Sequence, residues 1–121
     1  MIDRNNIRVG NYLKTIDNTY GTVKSIGNTI RVDHVLDEED YLPTQLYPTE
    51  VDHHILSHCD FEIHDAIYIH KQSGVKLKYN GVGNVVMQVA NGVKKITFLH
   101  ELQNCYFDET GKLLDPNLCG I

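Results

Sequence analysis

Residues 21–35 read Gly21-Thr22-Val23-Lys24-Ser25-Ile26-Gly27-Asn28-Thr29-Ile30-Arg31-Val32-Asp33-His34-Val35. Apolar and polar side chains alternate on both sides of Gly27-Asn28, a pair that tolerates the positive φ of a tight turn, so the stretch predicts two antiparallel strands. Upstream, Ile7, Val9 and Asn11 alternate with Arg8 and Gly10, and Tyr12-Leu13 runs toward the turn residues Asp17-Asn18. Three short strands are expected, a curled, barrel-like unit over residues 1–36 in which Gly10 or Gly21 permits a bulge.

Downstream, residues 37–48 lose all period. They hold the tetrad Asp37-Glu38-Glu39-Asp40 with Pro43 and Pro48 and read as an acidic, solvated loop. At Thr49-Glu50-Val51-Asp52 a capping-box-like start precedes Val51, Ile55, Leu56 and Cys59 at helical spacing, which predicts a helix over about 50–59. Phe61 to His70 alternates as one strand, with Phe61, Ile63, Asp65, Ile67 and Ile69 on one parity and Glu62, His64, Ala66, Tyr68 and His70 on the other. Further runs at Val75–Tyr79 and Val85–Val89 are joined by Asn80-Gly81-Val82-Gly83-Asn84, a hairpin turn rather than a phosphate cradle, because a cradle opens a helix. Asn91-Gly92 predicts a type I′ hairpin. Phe98, Leu99, Leu102, Cys105 and Tyr106 then give a helix over about 98–108, with Gly111 as its cap. The expected class is α+β in a single domain: a small curled antiparallel N-terminal unit, then over 49–121 a short helix, a second antiparallel meander and a C-terminal packing helix.

The chain has 121 residues, 41% hydrophobic and 22% charged, an ordinary globular profile with room for one domain. No apolar run reaches the roughly 18 residues of a membrane span, and the first residues carry no apolar leader, so a cytoplasmic protein without membrane contact is expected. The net charge of −5 is unevenly spread: residues 37–65 hold nine acids and no Lys or Arg, while the segments on either side are each slightly basic. Duplex nucleic acid, which needs a clustered basic face, is not an expected partner. Cys59, Cys105 and Cys119 are odd in number and contain no C-x-x-C pair, so a disulfide framework and a zinc ribbon both lose support. Cys59 and Cys105 read as small buried hydrophobes, Cys119 as exposed.

Two clusters could carry chemistry. Seven histidines include His53, His54, His58 and His64 within twelve residues, and His54 and His58 are spaced to chelate a metal from one helical face, with His64 or Asp60 as a third ligand. The Glu of H-E-x-x-H is absent, and titrating imidazoles beside an acidic segment are the competing reading. On the last helix His100, Gln103, Asn104 and Tyr106 could hydrogen-bond a ligand, or instead satisfy nearby loop carbonyls. Neither Cys59 after His58 nor Cys105 with His100 sits in a recognisable nucleophile elbow.

Three stretches together resemble an uncharacterised family of small proteins from Bacteroidetes genomes, their prophages and mobile elements. They are Ile7-Arg8-Val9-Gly10-Asn11-Tyr12; Leu46-Tyr47-Pro48-Thr49-Glu50 through Ile55-Leu56 to Cys59-Asp60-Phe61; and Leu99-His100-Glu101-Leu102-Gln103-Asn104-Cys105-Tyr106-Phe107 with Thr110-Gly111-Lys112-Leu113-Leu114. The last is similar to H-x-L-Q-N-L-Y-F-x-L-T-G-x-E-L, departing at Cys105, Glu109 and Leu113; Asp60 also stands where the family often has Gly. The resemblance implies a phage or mobile-element accessory protein and brings no activity, cofactor or catalytic residue with it. A non-catalytic protein-interaction module, homo-oligomeric and without cofactor, is the expected function, because unpaired strand edges must be covered. One alternative is a binder that sequesters a nucleotide-like signal of host defence, for which a pocket lined by Lys or Arg with Tyr would speak. The second alternative is a metal-dependent hydrolase using three of His53, His54, His58, His64 and Asp60.

Overall fold

A computed structural model describes residues 2–34 and 37–116. Among them are two helices and ten strands in two five-stranded antiparallel sheets, one of which is a strongly curled half-barrel. The chain is thus α+β, with a curled sheet and a C-terminal helix. Contacts divide it into two compact units at Thr49/Glu50.

In the first unit β1 (Tyr12–Thr15), β2 (Tyr20–Ile26), β3 (Ile30–His34), β4 (Asp37–Tyr41) and β5 (Leu46–Tyr47) form a sheet of order β4-β3-β2-β1-β5. Leu13, Val23, Ile30, Val32, Tyr41 and Leu46 belong to its core. Of the stretch read as a first strand, residues 7–11 are instead a loop and turn that follow a 3-10 turn at Arg4–Asn6, and the strand begins only at Tyr12. Asn11 explains the difference: its Oδ1 accepts from the Arg8 backbone N–H at 2.8 Å, and Gly10 stands at φ 98°, closing a turn where alternation suggested extension.

Residues 37–48 are not a loop. The acidic tetrad forms β4 in register with β3, Pro43–Gln45 is a 3-10 turn, and β5 returns to β1. Acidic residues disfavour strands, but cross-strand charge offsets this: Arg31 on β3 reaches Glu38 at 2.9 Å and Asp40 at 3.3 Å.

The second unit holds α1 (His53–His58), β6 (Phe61–His64), β7 (Ile67–His70), β8 (Lys76–Tyr79), β9 (Val85–Val89), β10 (Gly92–Ile96) and α2 (Leu99–Thr110). Its strands form a meander in chain order. Helix α1 starts later than expected because Asp52, not Thr49, caps it, its Oδ1 accepting from Ile55 N–H at 2.9 Å. Helix α2 buries Leu99, Leu102, Cys105 and Tyr106 at helical spacing, and Gly111 ends it at φ 73°. The hairpin predicted at Asn91-Gly92 is present one residue earlier: Gly92 pairs with Val89, so Ala90-Asn91 are the loop, and neither has positive φ.

The expected strand 61–70 is broken. Asp65 and Ala66, at φ 51° and 69°, make a two-residue turn between β6 and β7. Asp tolerates the left-handed region but Ala does so rarely, and the dipeptide carries no glycine to announce a turn.

Gly21 lies opposite Leu13, just before the register shift between Val23 and Ser25 that bends the first sheet. A Cβ there would fall on Val32 Cγ1 and lie 3.1 Å from the Asp33 carbonyl oxygen. Gly27, whose nearest such neighbour is 3.9 Å away, has room. Gly21→Ala should cost roughly 1–3 kcal/mol of stability in urea unfolding, whereas Gly27→Ala should stay within about 0.5 kcal/mol.

Candidate functional site

The Asp65-Ala66 turn exchanges the faces of the second sheet. Phe61 pairs with His70 and Ile63 with Tyr68, so Tyr68 and His70 share the inner face, while Ile67 and Ile69 turn outward. Registers then place His64, Ile67, Lys78, Val86 and Lys95 in one row across the outer face, and Glu62, Ile69 and Lys76 in a second. Cations and aliphatic side chains thus alternate on an exposed surface. Ile67 is 40% and Val93 71% exposed. Ile67, Val86 and Val93 line a shallow concavity of about 450 Å³ rimmed by Lys76 and Lys78. Neither lysine, nor Lys95, has an ion-pair partner among the described residues, although Lys71 and His64 approach Glu62 at 3.5 and 3.4 Å.

The residues singled out from sequence fall elsewhere. His54 and His58 do meet on α1, ring centroids 4.5 Å apart and edge to face, and His64 lies on β6 beside Glu62. Among the described residues no three His, Cys, Asp or Glu side chains converge to hold a metal ion. His53 turns instead to a tyrosine pair, its Nδ1 hydrogen-bonded to the Tyr68 hydroxyl and its ring centroid 4.0 Å from that of Tyr79.

On α2, His100, Gln103 and Tyr106 are buried and Asn104 is half-buried. Gln103 Nε2 donates to the Leu114 carbonyl at 2.9 Å and so ties the chain beyond the helix to it. His100 stacks on Phe98, and its Nδ1 is buried with no hydrogen-bond partner among the described residues. Burial pushes the Cys59 thiol up to about 12 and raises that of Cys105, so neither supplies a thiolate at neutral pH. Cys119 lies outside the described residues.

Sequence reading missed His70, because the unbroken alternation put it on the polar parity. It is only 6% exposed. The Gln72 and Ser73 amides donate to its Nδ1 at 3.3 and 3.2 Å, and the Ser73 hydroxyl lies 3.1 Å away. Since amides only donate, Nδ1 is the unprotonated nitrogen, and a backbone hydrogen bond with Cys59 favours the protonated ring against the burial that opposes it. The Tyr106 hydroxyl, 3.4 Å from Nδ1, links this turn to α2.

Compared with family models, with curated proteins and with solved structures, the chain matches none. The family resemblance read from the three stretches rests on those residues alone. No helix among the described residues is long and apolar enough to cross a membrane.

Burial lowers the pKa of His70 against the opposing charge of Asp60, and burial lowers that of His100 against Glu101. An imidazole whose folded pKa is depressed takes up its proton more readily in the unfolded chain, so its contribution is full above about pH 6.5 and is lost as pH falls through the folded value. Urea unfolding should therefore show lower stability at pH 5.5 than at pH 7.5. His70→Phe, which removes one of the two groups, should shrink that difference.

Proposed function

We propose that the chain is a non-catalytic interaction module that self-associates and docks a partner protein on the outer face of its second sheet. The partner segment is extended, aliphatic and acidic. The observation that supports this is the surface where Ile67, Val86 and Val93 lie among Lys76, Lys78 and Lys95, three lysines with no ion-pair partner among the described residues. Apolar side chains left exposed together in a concavity favour contact, and cations around them select an anionic segment and reject a basic one. An accessory role of the kind the family resemblance implies is compatible with such a module.

For the nucleotide-binding alternative, the expected lining was Lys or Arg with Tyr. The concavity offers the lysines and has no aromatic side chain in its lining, so a base would find no stacking platform there. The protein reading is the one the surface favours.

A peptide of alternating glutamate and valine, titrated into the isotopically labelled protein, tests this. Amide shifts should move on β7 to β10 and leave β1 to β5 unchanged. The double variant Lys76→Glu, Lys78→Glu should bind on the order of tenfold more weakly, about 1.4 kcal/mol. Shifts scattered over both units, or undiminished binding by the variant, would count against the surface.

A further inference from the structure

The two sheets each leave one charged edge open. Strand β4 pairs with β3 alone, and its residues 37–40, Asp-Glu-Glu-Asp, are all exposed. Strand β10 pairs with β9 alone, and its residues 92–95, Gly-Val-Lys-Lys, are all exposed. Both strands are five residues long. The two-residue loop makes Val89 and Gly92 a hydrogen-bonded pair, so alternation along the strand turns the backbone groups of Val93 and Lys95 toward the open side.

An open edge is a template for another strand, and charge decides which strand it accepts. Two copies of β4 side by side would set acids against acids, and two copies of β10 lysines against lysines. Mixed pairing removes both conflicts. With Glu39 opposite Lys94 in antiparallel register, Glu38 falls opposite Lys95 and Asp40 opposite Val93. Arg31 already engages Glu38 and Asp40, yet one cation leaves the four-acid strand with an excess of negative charge. The two edges belong to different sheets.

We infer that β4 of one copy adds to the β10 edge of a second copy, giving a head-to-tail assembly held by backbone hydrogen bonds and acid–lysine pairs. This gives a structural form to the self-association in the proposed function; it shares Val93 and Lys95 with the docking face described there but not Lys76 or Lys78. Two unlike edges make the contact heterologous, so it continues from copy to copy until a ring closes. Because the charged pairs lie at exposed edges, salt weakens the assembly.

Sedimentation velocity on the full chain at low and high salt reads this out. The wild-type protein should associate at low salt and dissociate at high salt. Lys94→Glu with Lys95→Glu, and separately Glu38→Lys with Glu39→Lys, should each sediment as monomers, while an equimolar mixture of the two should associate again. Recovery in the mixture also shows that both variants fold. Hydrogen exchange on the unaltered protein gives a second reading: β4 and β10 amides should slow together as concentration rises. A wild-type monomer at low salt, variants that still associate, or folded variants that fail to recover on mixing would overturn the inference. So would loss of assembly in Lys76→Glu, Lys78→Glu, since that result assigns self-association to the concave face; normal assembly by this variant with loss of peptide binding would separate the two surfaces.

Discussion

Two residues with positive φ, Asp65 and Ala66, decide what the second sheet shows to solvent. Side chains in a strand alternate strictly, so a two-residue turn between β6 and β7 reverses which parity faces inward. Without it Ile67 and Ile69 would join Phe61 and Ile63, and Tyr68 and His70 would lie outside. With it, Tyr68 and His70 are buried, His70 accepts from the turn that follows β7, and two isoleucines are set among lysines. The outward-facing isoleucines and the buried histidine are consequences of the same turn.

Inside the second unit, polar groups are tied rather than offered. Gln103 holds the Leu114 carbonyl, Tyr106 meets His70, and Glu101 Oε1 accepts from Thr97 and Phe98 N–H at 3.0 and 2.9 Å at the start of α2. Gln103 and Tyr106 of that helix act as braces and Glu101 as its cap, while the His100 Nδ1 is buried with no partner among the described residues, so a ligand surface is better sought on the far side of the sheet. There the floor is aliphatic, and Lys76, Lys78 and Lys95 have no ion-pair partner among the described residues.

Much of this was legible in the sequence. The β2–β3 pair, the meander's later strands and the closing helix with its Gly111 cap follow from periodicity and turn chemistry, because each is marked by a residue that only one conformation favours. Three features were not legible, for separate reasons. Asn11 closes a turn through a side-chain hydrogen bond that alternation does not reveal. The acidic tetrad becomes a strand because Arg31, six residues upstream of Asp37, lies across from it once β3 is formed. Asp65-Ala66 turns without glycine or asparagine, so the parity of everything after it was assigned to the wrong face, and the candidate site went with it. The histidine pair His54 and His58 was placed correctly on one helical face, yet the sequence gives no sign that His53 would turn to Tyr68 and Tyr79.

The face assignment and its use can be measured together by thiol labelling of an Ile67→Cys variant. The introduced thiol should react at the rate of an exposed cysteine, well ahead of buried Cys59 and Cys105, and the glutamate–valine peptide should slow it. A thiol at position 67 as unreactive as Cys59, or a fast one that the peptide leaves untouched, would contradict the account.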